Sequence, residues 1–232
     1  MSGEEALADR SRTLHVTFDD AFRSVASVLD ELERLSVPVT IFACTGLAED
    51  GGQFRVPEMR HRLPADEDEL NTMPWDTLRE LAERGVEIGS HTVSHPHLPE
   101  LGQAELLAEL RDSRERIEDE LEQPCPLLAY PYGHHDARVR AAARSVGYTG
   151  AFTLGSPTVA FEHRAVPRVG VYDRDGSLRL ALKTSPLRRR LTAARAELRS
   201  NRPGRAGLRA AQPTSSSSPT SADQRLPTDE MP

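Results

Sequence analysis

Thr13-Leu-His-Val-Thr-Phe18-Asp19-Asp20 joins six residues rich in β-branched and aromatic side chains to two adjacent carboxylates. The six read as a strand, so the acidic pair falls where that strand ends. Two carboxylates there are costly. Like charges a few ångströms apart raise one pKa, and burial raises both unless a cation is near. Either the pair caps the helix that begins near Phe22, or it shares a cation. Some seventy residues on, Ser90-His91-Thr92-Val93-Ser94-His95-Pro96 offers two histidines to such a cation. A carboxylate with two histidines is a common ligand set for a divalent metal that keeps open positions.

Outward from this pair, strand and helix patterns alternate. Phe22 to Leu35 carries apolar residues at helical spacing, and Val37 to Cys44 reads as a buried strand with its proline near the start. Residues 46–74 form a long polar excursion punctuated by Gly51-Gly52, Pro57, Pro64 and Pro74, a candidate wall for a cleft. Trp75 to Arg84 is a second helix stopped by Gly85, and Val86 to Ser90 a third strand delivering His91. Leu101 to Glu122 is a long amphipathic helix. Pro126 to Tyr130 is a fourth strand running into Pro131-Tyr132-Gly133. Asp136 to Ser145 is helical, Gly147 to Thr153 extended, and Val166 to Val171 the last strand. The alternation predicts parallel strands with crossover helices, in a barrel or a doubly wound sheet. Asp19, Asp20, His91, His95 and the Tyr130–Gly133 segment all follow strands, so their strands' carboxyl ends would bring them to one rim.

The chain has 232 residues, 38% of them hydrophobic, enough for one domain with a sizeable core. Its net charge of −7 is uneven. Residues 1–185 carry 20 basic and 32 acidic side chains, and residues 186–232 carry 9 and 4. An acidic body argues against nucleic acid as a partner. Cys44 and Cys125 lack CxxC spacing and read as buried free thiols. The N-terminus lacks the features of a leader peptide, and no run is long enough for a membrane span. The expectation is a cytoplasmic chain. The division read from the sequence is an N-terminal extension over 1–12, one domain over 13–185, a basic and possibly helical segment over 186–210, and a disordered Ser/Thr/Pro-rich tail over 211–232. The basic segment is either a solvated tail or a weak membrane-surface contact.

Over roughly residues 13 to 172 the chain resembles the polysaccharide deacetylase family with the NodB-homology domain. Thr17-Phe18-Asp19-Asp20 is similar to the family's first motif. His91-Thr92-Val93-Ser94-His95 is similar to its second and Tyr130-Pro131-Tyr132-Gly133 to the core of its third. The resemblance is closest to the exopolysaccharide-synthesis branch. It implies an α/β fold, a deformed (β/α) barrel in a single domain, that binds a divalent metal, most often Zn2+, with Co2+, Ni2+ or Mn2+ as alternatives. It implies hydrolytic removal of N-acetyl groups from an amino-sugar glycan or glycan precursor. By the same resemblance Asp19 is the catalytic base, Asp20, His91 and His95 are the metal ligands, and the Tyr132 backbone N–H helps hold the oxyanion. The chemistry agrees. A metal with three protein ligands polarises a carbonyl and activates water, and it lets two carboxylates coexist, one on the cation and one accepting a proton. His91 and His95, at i and i+4, are expected on one face of a helical turn.

Three positions depart from the family pattern. Ala129 stands where an Arg usually opens the third motif and pairs with the catalytic Asp; Arg168 either supplies that charge or lies on the surface. Ala21 replaces the Gly that commonly follows the Asp pair. No apolar-x-His motif for the general acid follows residue 153, where His163 is the sole histidine. A truncated start, another histidine (His134, His135 or His163), or impaired catalysis would each account for it. His97, His134 and His135 lie near the rim by sequence, His15 reads as a core histidine, and Trp75 as core packing. The competing functions are a carbohydrate-binding protein on the same fold that has lost turnover, and an acetyl-ester hydrolase. Oligomeric state is not legible.

Overall fold

β1 (Val16–Phe18) opens a sheet of six parallel strands in the order β1-β2-β3-β4-β5-β6. The others are β2 (Val39–Ala43), β3 (Glu87–Ser90), β4 (Leu127–Ala129), β5 (Gly150–Leu154) and β6 (Val166–Arg168). The structure, a computed structural model, describes residues 3, 14–49, 51–54, 70–154, 163–172 and 174–185. Sequence order equals spatial order, so each crossover steps to the neighbouring strand and the sheet curves into a deformed half-barrel.

The crossover helices are α1 (Ala26–Arg34), α2 (Trp75–Glu83), α3 (Gln103–Leu121) and α4 (Ala137–Val146). Between them and the outer face of the sheet lies the main core, with Ile41, Leu78, Leu106, Leu110, Ile117 and Leu128 fully buried. Each such aliphatic side chain contributes about 1.5–3 kcal/mol on removal from water. A smaller cluster of Phe42, Leu127, Ala129 and Phe152 fills the concave face. Phe42 and Phe152 stand 5.5 Å apart there. Gly89 makes room for them, since a Cβ on it would come within 2.6 Å of the Phe42 ring. Local signals set the helix ends: the Asp136 side chain accepts from Val139 N (2.7 Å) to cap α4, and Gly147 ends it at φ 109°.

The expected elements fall close to their predicted bounds. The strand expected over Val166 to Val171 is shorter, ending at Arg168. A helix that the sequence reading did not anticipate, α5 (Ser177–Thr184), follows it and leaves Leu178 and Leu182 exposed. Cys44 and Cys125 are free and buried. The basic segment over 186–210, the tail over 211–232 and all of 1–12 except Gly3 lie outside the described residues. Among the described residues no helix is long and apolar enough to cross a membrane.

Candidate metal centre

The parallel sheet brings every strand's carboxyl end to one rim, and β1 delivers Asp19 and Asp20 to it. The chain then reverses through two left-handed residues, Asp20 (φ 66°) and Ala21 (φ 51°). For residues with a Cβ this costs roughly 1–2 kcal/mol each. Surrounding bonds hold the reversal: Met73 N donates to Ala21 O (2.8 Å) and Arg23 N to Asn71 O (2.9 Å). Ala21 thus occupies the conformation that a glycine would take without strain, and its methyl is buried.

The two histidines converge differently from the helical turn expected. Residues 91–97 form an irregular loop, with Thr92 at φ 71° and His95 at φ 60°. His95 N donates to Thr92 Oγ1 and Thr92 N to Ser90 Oγ, both 3.1 Å. The end of β2 grips the loop from one side, with Thr45 N donating to Thr92 O (3.1 Å) and Gly46 N to Val93 O (3.0 Å). Gly46 is required by that approach, because a Cβ would sit 2.9 Å from Val93 O. His91 Nδ1–H donates to the Ala129 carbonyl oxygen (2.8 Å). A carbonyl only accepts, so in the neutral ring Nε2 carries the lone pair, and it points at Asp20.

Asp20 Oδ1 lies 3.5 Å from His91 Nε2 and 3.6 Å from His95 Nε2. It is buried and accepts no hydrogen bond. Ligands at 2.0–2.1 Å from a tetrahedral ion are about 3.3 Å apart, so these three atoms are spaced to share one cation. The orphaned oxygen supports the same fit, because a buried carboxylate without a donor is otherwise unstable. Burial, and then the charge of Asp19, push the Asp20 carboxyl up to about 6 despite His91 and Arg168. A divalent ion would reverse that.

Asp19 is handled by other means. Arg168 Nη1 and Nη2 donate to its two carboxylate oxygens at 2.6 and 2.7 Å, and Nη1 also donates to Thr17 Oγ1 (2.9 Å). The fork-to-fork pair spans β1 and β6, the two edges of the sheet. The guanidinium lies over the Phe42 and Phe152 rings at 5.4 and 5.8 Å, so the concave cluster is its platform. Of the two readings of Arg168, the structure has the paired one. Burial pushes Asp19 up, but His91, Arg168 and His95 together pull it below the ordinary carboxylate value. It therefore stays ionised beside the Asp20–His91–His95 set.

Aromatic rings continue outward from His95. Phe54, from the 46–74 excursion, meets it edge-on at 4.9 Å, so the start of that excursion does wall the site. On the other side Tyr132 packs at 4.5 Å, its backbone left-handed at φ 58°, and His97 stacks on Tyr132 at 4.1 Å. His97 and His134 bring their Nδ1 atoms 3.4 Å apart beside a cavity of about 320 Å³. His135 Nδ1 accepts from Arg140 (3.1 Å). His163 does not join this rim. Its carbonyl accepts from Ala151 N, near the amino end of β5, at the opposite end of the sheet from the metal ligands. His15 likewise precedes β1 and bonds Thr40 Oγ1 (2.7 Å). Trp75 is buried in the core.

Fold and site together define an α/β half-barrel with an Asp–His–His set that could hold a metal ion at the carboxyl rim and a second, separately paired carboxylate beside it. The sequence model described as polysaccharide deacetylase matches residues 7–151, and the chain belongs to that family. Arg168 lies beyond the matched span. The chain is similar to YxkH of Bacillus subtilis, 29% identical over 134 residues, which are 57% of this chain and 41% of that protein. It is also similar to chitin deacetylase 1 of Cryptococcus neoformans, 40% identical over 82 residues, 34% of this chain and 17% of that protein. The matches thus span less than half the length of these curated relatives. In fold it is similar to the deacetylase PplD of Streptococcus pyogenes, with TM-score 0.65 and 20% identity over 80% of this chain and 79% of that one.

Proposed function

We propose that the chain is a metal-dependent hydrolase that removes N-acetyl groups from an amino-sugar glycan or glycan precursor. The observation that carries this reading is the second carboxylate. A protein that merely held a metal or a sugar would have no use for Asp19, half-buried in bidentate contact with Arg168 and kept ionised next to the Asp20–His91–His95 set.

A divalent ion held by Asp20, His91 and His95, zinc being the commonest choice for such ligands, would polarise an amide carbonyl and lower the pKa of a water towards ~7. Asp19 accepts the proton of the attacking water. Arg168 keeps Asp19 ionised and fixes both of its oxygens in one plane. The Tyr132 N–H, presented by a left-handed turn beside His95, donates to the oxygen that becomes negative as the tetrahedral intermediate forms. The leaving nitrogen needs a proton, and His134 at the rim is a donor of suitable type.

A binding-only protein on the same fold is the second reading. It is favoured by one observation, that His163, the sole histidine after residue 153, sits at the far end of the sheet from the metal ligands. Acetate release from N-acetylglucosamine oligomers, with added cobalt or zinc and an Asp19→Asn control, separates the two. Metal-dependent release abolished in the control supports the hydrolase. Stoichiometric metal binding without release supports the binder.

A further inference from the structure

The irregular loop carrying His91 and His95 is held on its second side by a carboxylate that belongs to none of the motifs. Glu109, on α3, accepts three hydrogen bonds from it. Oε2 takes Val93 N–H at 2.9 Å and Ser94 N–H at 3.0 Å, and Oε1 takes the Ser94 hydroxyl at 2.6 Å. One turn further along α3, Ser113 Oγ meets Ser90 Oγ at 2.8 Å, at the point where β3 becomes the loop. Leu106 and Leu110, buried on the same helix, anchor this face to the core. The helix therefore touches the loop at its start and at its middle, and the grip of Thr45 and Gly46 opposes it from β2.

We infer that Glu109 is a positioning residue for the metal centre. Its carboxylate fixes the Val93–Ser94 peptides, and through them the turn that aims His95 at Asp20. The inference rests on the metal-centre reading above. The loop runs through two left-handed residues, Thr92 and His95, which bracket the two peptides that Glu109 holds. Such a conformation persists only when its surroundings over-determine it. All three loop groups donate, so an acceptor-only side chain reaching from the helix satisfies them at once, as a carboxylate does. Without it two peptide N–H groups lose their partner and the loop is free to relax towards ordinary dihedrals, carrying the His95 ring off the shared point.

The test is a cobalt titration of the purified chain followed by visible absorption, so that no turnover is needed. Glu109→Ala removes the fork, and Glu109→Asp keeps the charge but falls one methylene short. Both are expected to weaken Co2+ binding by about 10–100-fold, the usual cost of losing a residue that orients a metal ligand. Glu109→Gln keeps the reach, since its carbonyl oxygen can take both N–H groups while its amide donates to Ser94 Oγ, and it should restore most of the affinity. A residue that mattered only to helix stability would lower the melting temperature of the metal-free chain and leave cobalt affinity at 25 °C unchanged. If the Ala and Asp variants, shown to be folded by circular dichroism, bind cobalt as tightly as the unchanged chain, the inference is overturned. If Ala does not fold, the Asp variant decides alone. Absence of cobalt binding by the unchanged chain would instead overturn the metal-centre reading on which it rests.

Discussion

The two carboxylates at the end of β1 are adjacent in sequence and opposite in their chemistry. The Asp20 Oδ1 atom is buried, accepts no hydrogen bond and faces two imidazoles, and the carboxyl is pushed up to about 6. Asp19 is locked to a guanidinium and held below the ordinary carboxylate value. On the proposed reading Asp20 is completed by a cation. Asp19 is completed by the chain itself, from a residue 149 positions away. On the proposed reading one peptide unit separates a ligand from a base, with left-handed backbone at Asp20 between them.

The contrast can be broken one residue at a time. Asp20→Ala should give the largest loss: it removes one of three ligands, so both metal binding and acetate release should fall to background. Asp19→Asn should leave the metal in place and lower kcat by about 10²–10⁴-fold, the usual contribution of a general base. An unchanged kcat would remove Asp19 from the chemistry.

Arg168→Met should have a smaller, pH-dependent effect. With the guanidinium gone, Asp19 is no longer pulled down, so the acid limb of the kcat/KM profile should move up by about 1–3 pH units. Metal affinity should hardly change, and an unmoved acid limb would contradict the pairing. The smallest effect concerns the metal-free chain in chelator. Asp20 has a folded-state pKa of about 6, above its ordinary 3.8, so the folded state binds more protons between those values. Stability should therefore fall as pH rises from about 4 to about 6, by something like 2–3 kcal/mol at 1.36 kcal/mol per unit. Urea midpoints should show that slope in the unchanged chain, relative to Asp20→Asn. Parallel pH dependences would refute it.

The Asp20 half was legible because its determinants are local. A strand ending in two carboxylates, another ending in His91, and the alternation of elements were enough to bring Asp20, His91 and His95 to one rim. The Asp19 half was legible only as an alternative. Nothing near Arg168 in sequence distinguishes a paired guanidinium from a surface one, and the platform of Phe42 and Phe152 exists only once the curved sheet brings β2, β5 and β6 to one concave face. The i, i+4 spacing of His91 and His95 suggested a helical turn, yet hydrogen bonds donated by Thr45 and Gly46 and those accepted by Glu109 hold a loop instead. Glu109 itself reads in sequence as one more charge on an amphipathic helix. α5 was missed because the last strand ends early and the leucines that follow pack little, so no core periodicity marked it.

The division of labour between Asp19 and Asp20 is tested most directly by titrating cobalt into Asp19→Asn and Asp20→Asn side by side. Asp19→Asn should bind one equivalent with nearly unchanged affinity and spectrum, and Asp20→Asn should lose the site. If Asp19→Asn loses the metal as completely as Asp20→Asn does, Asp19 is a ligand and the assignment of a separate, Arg168-held base is wrong.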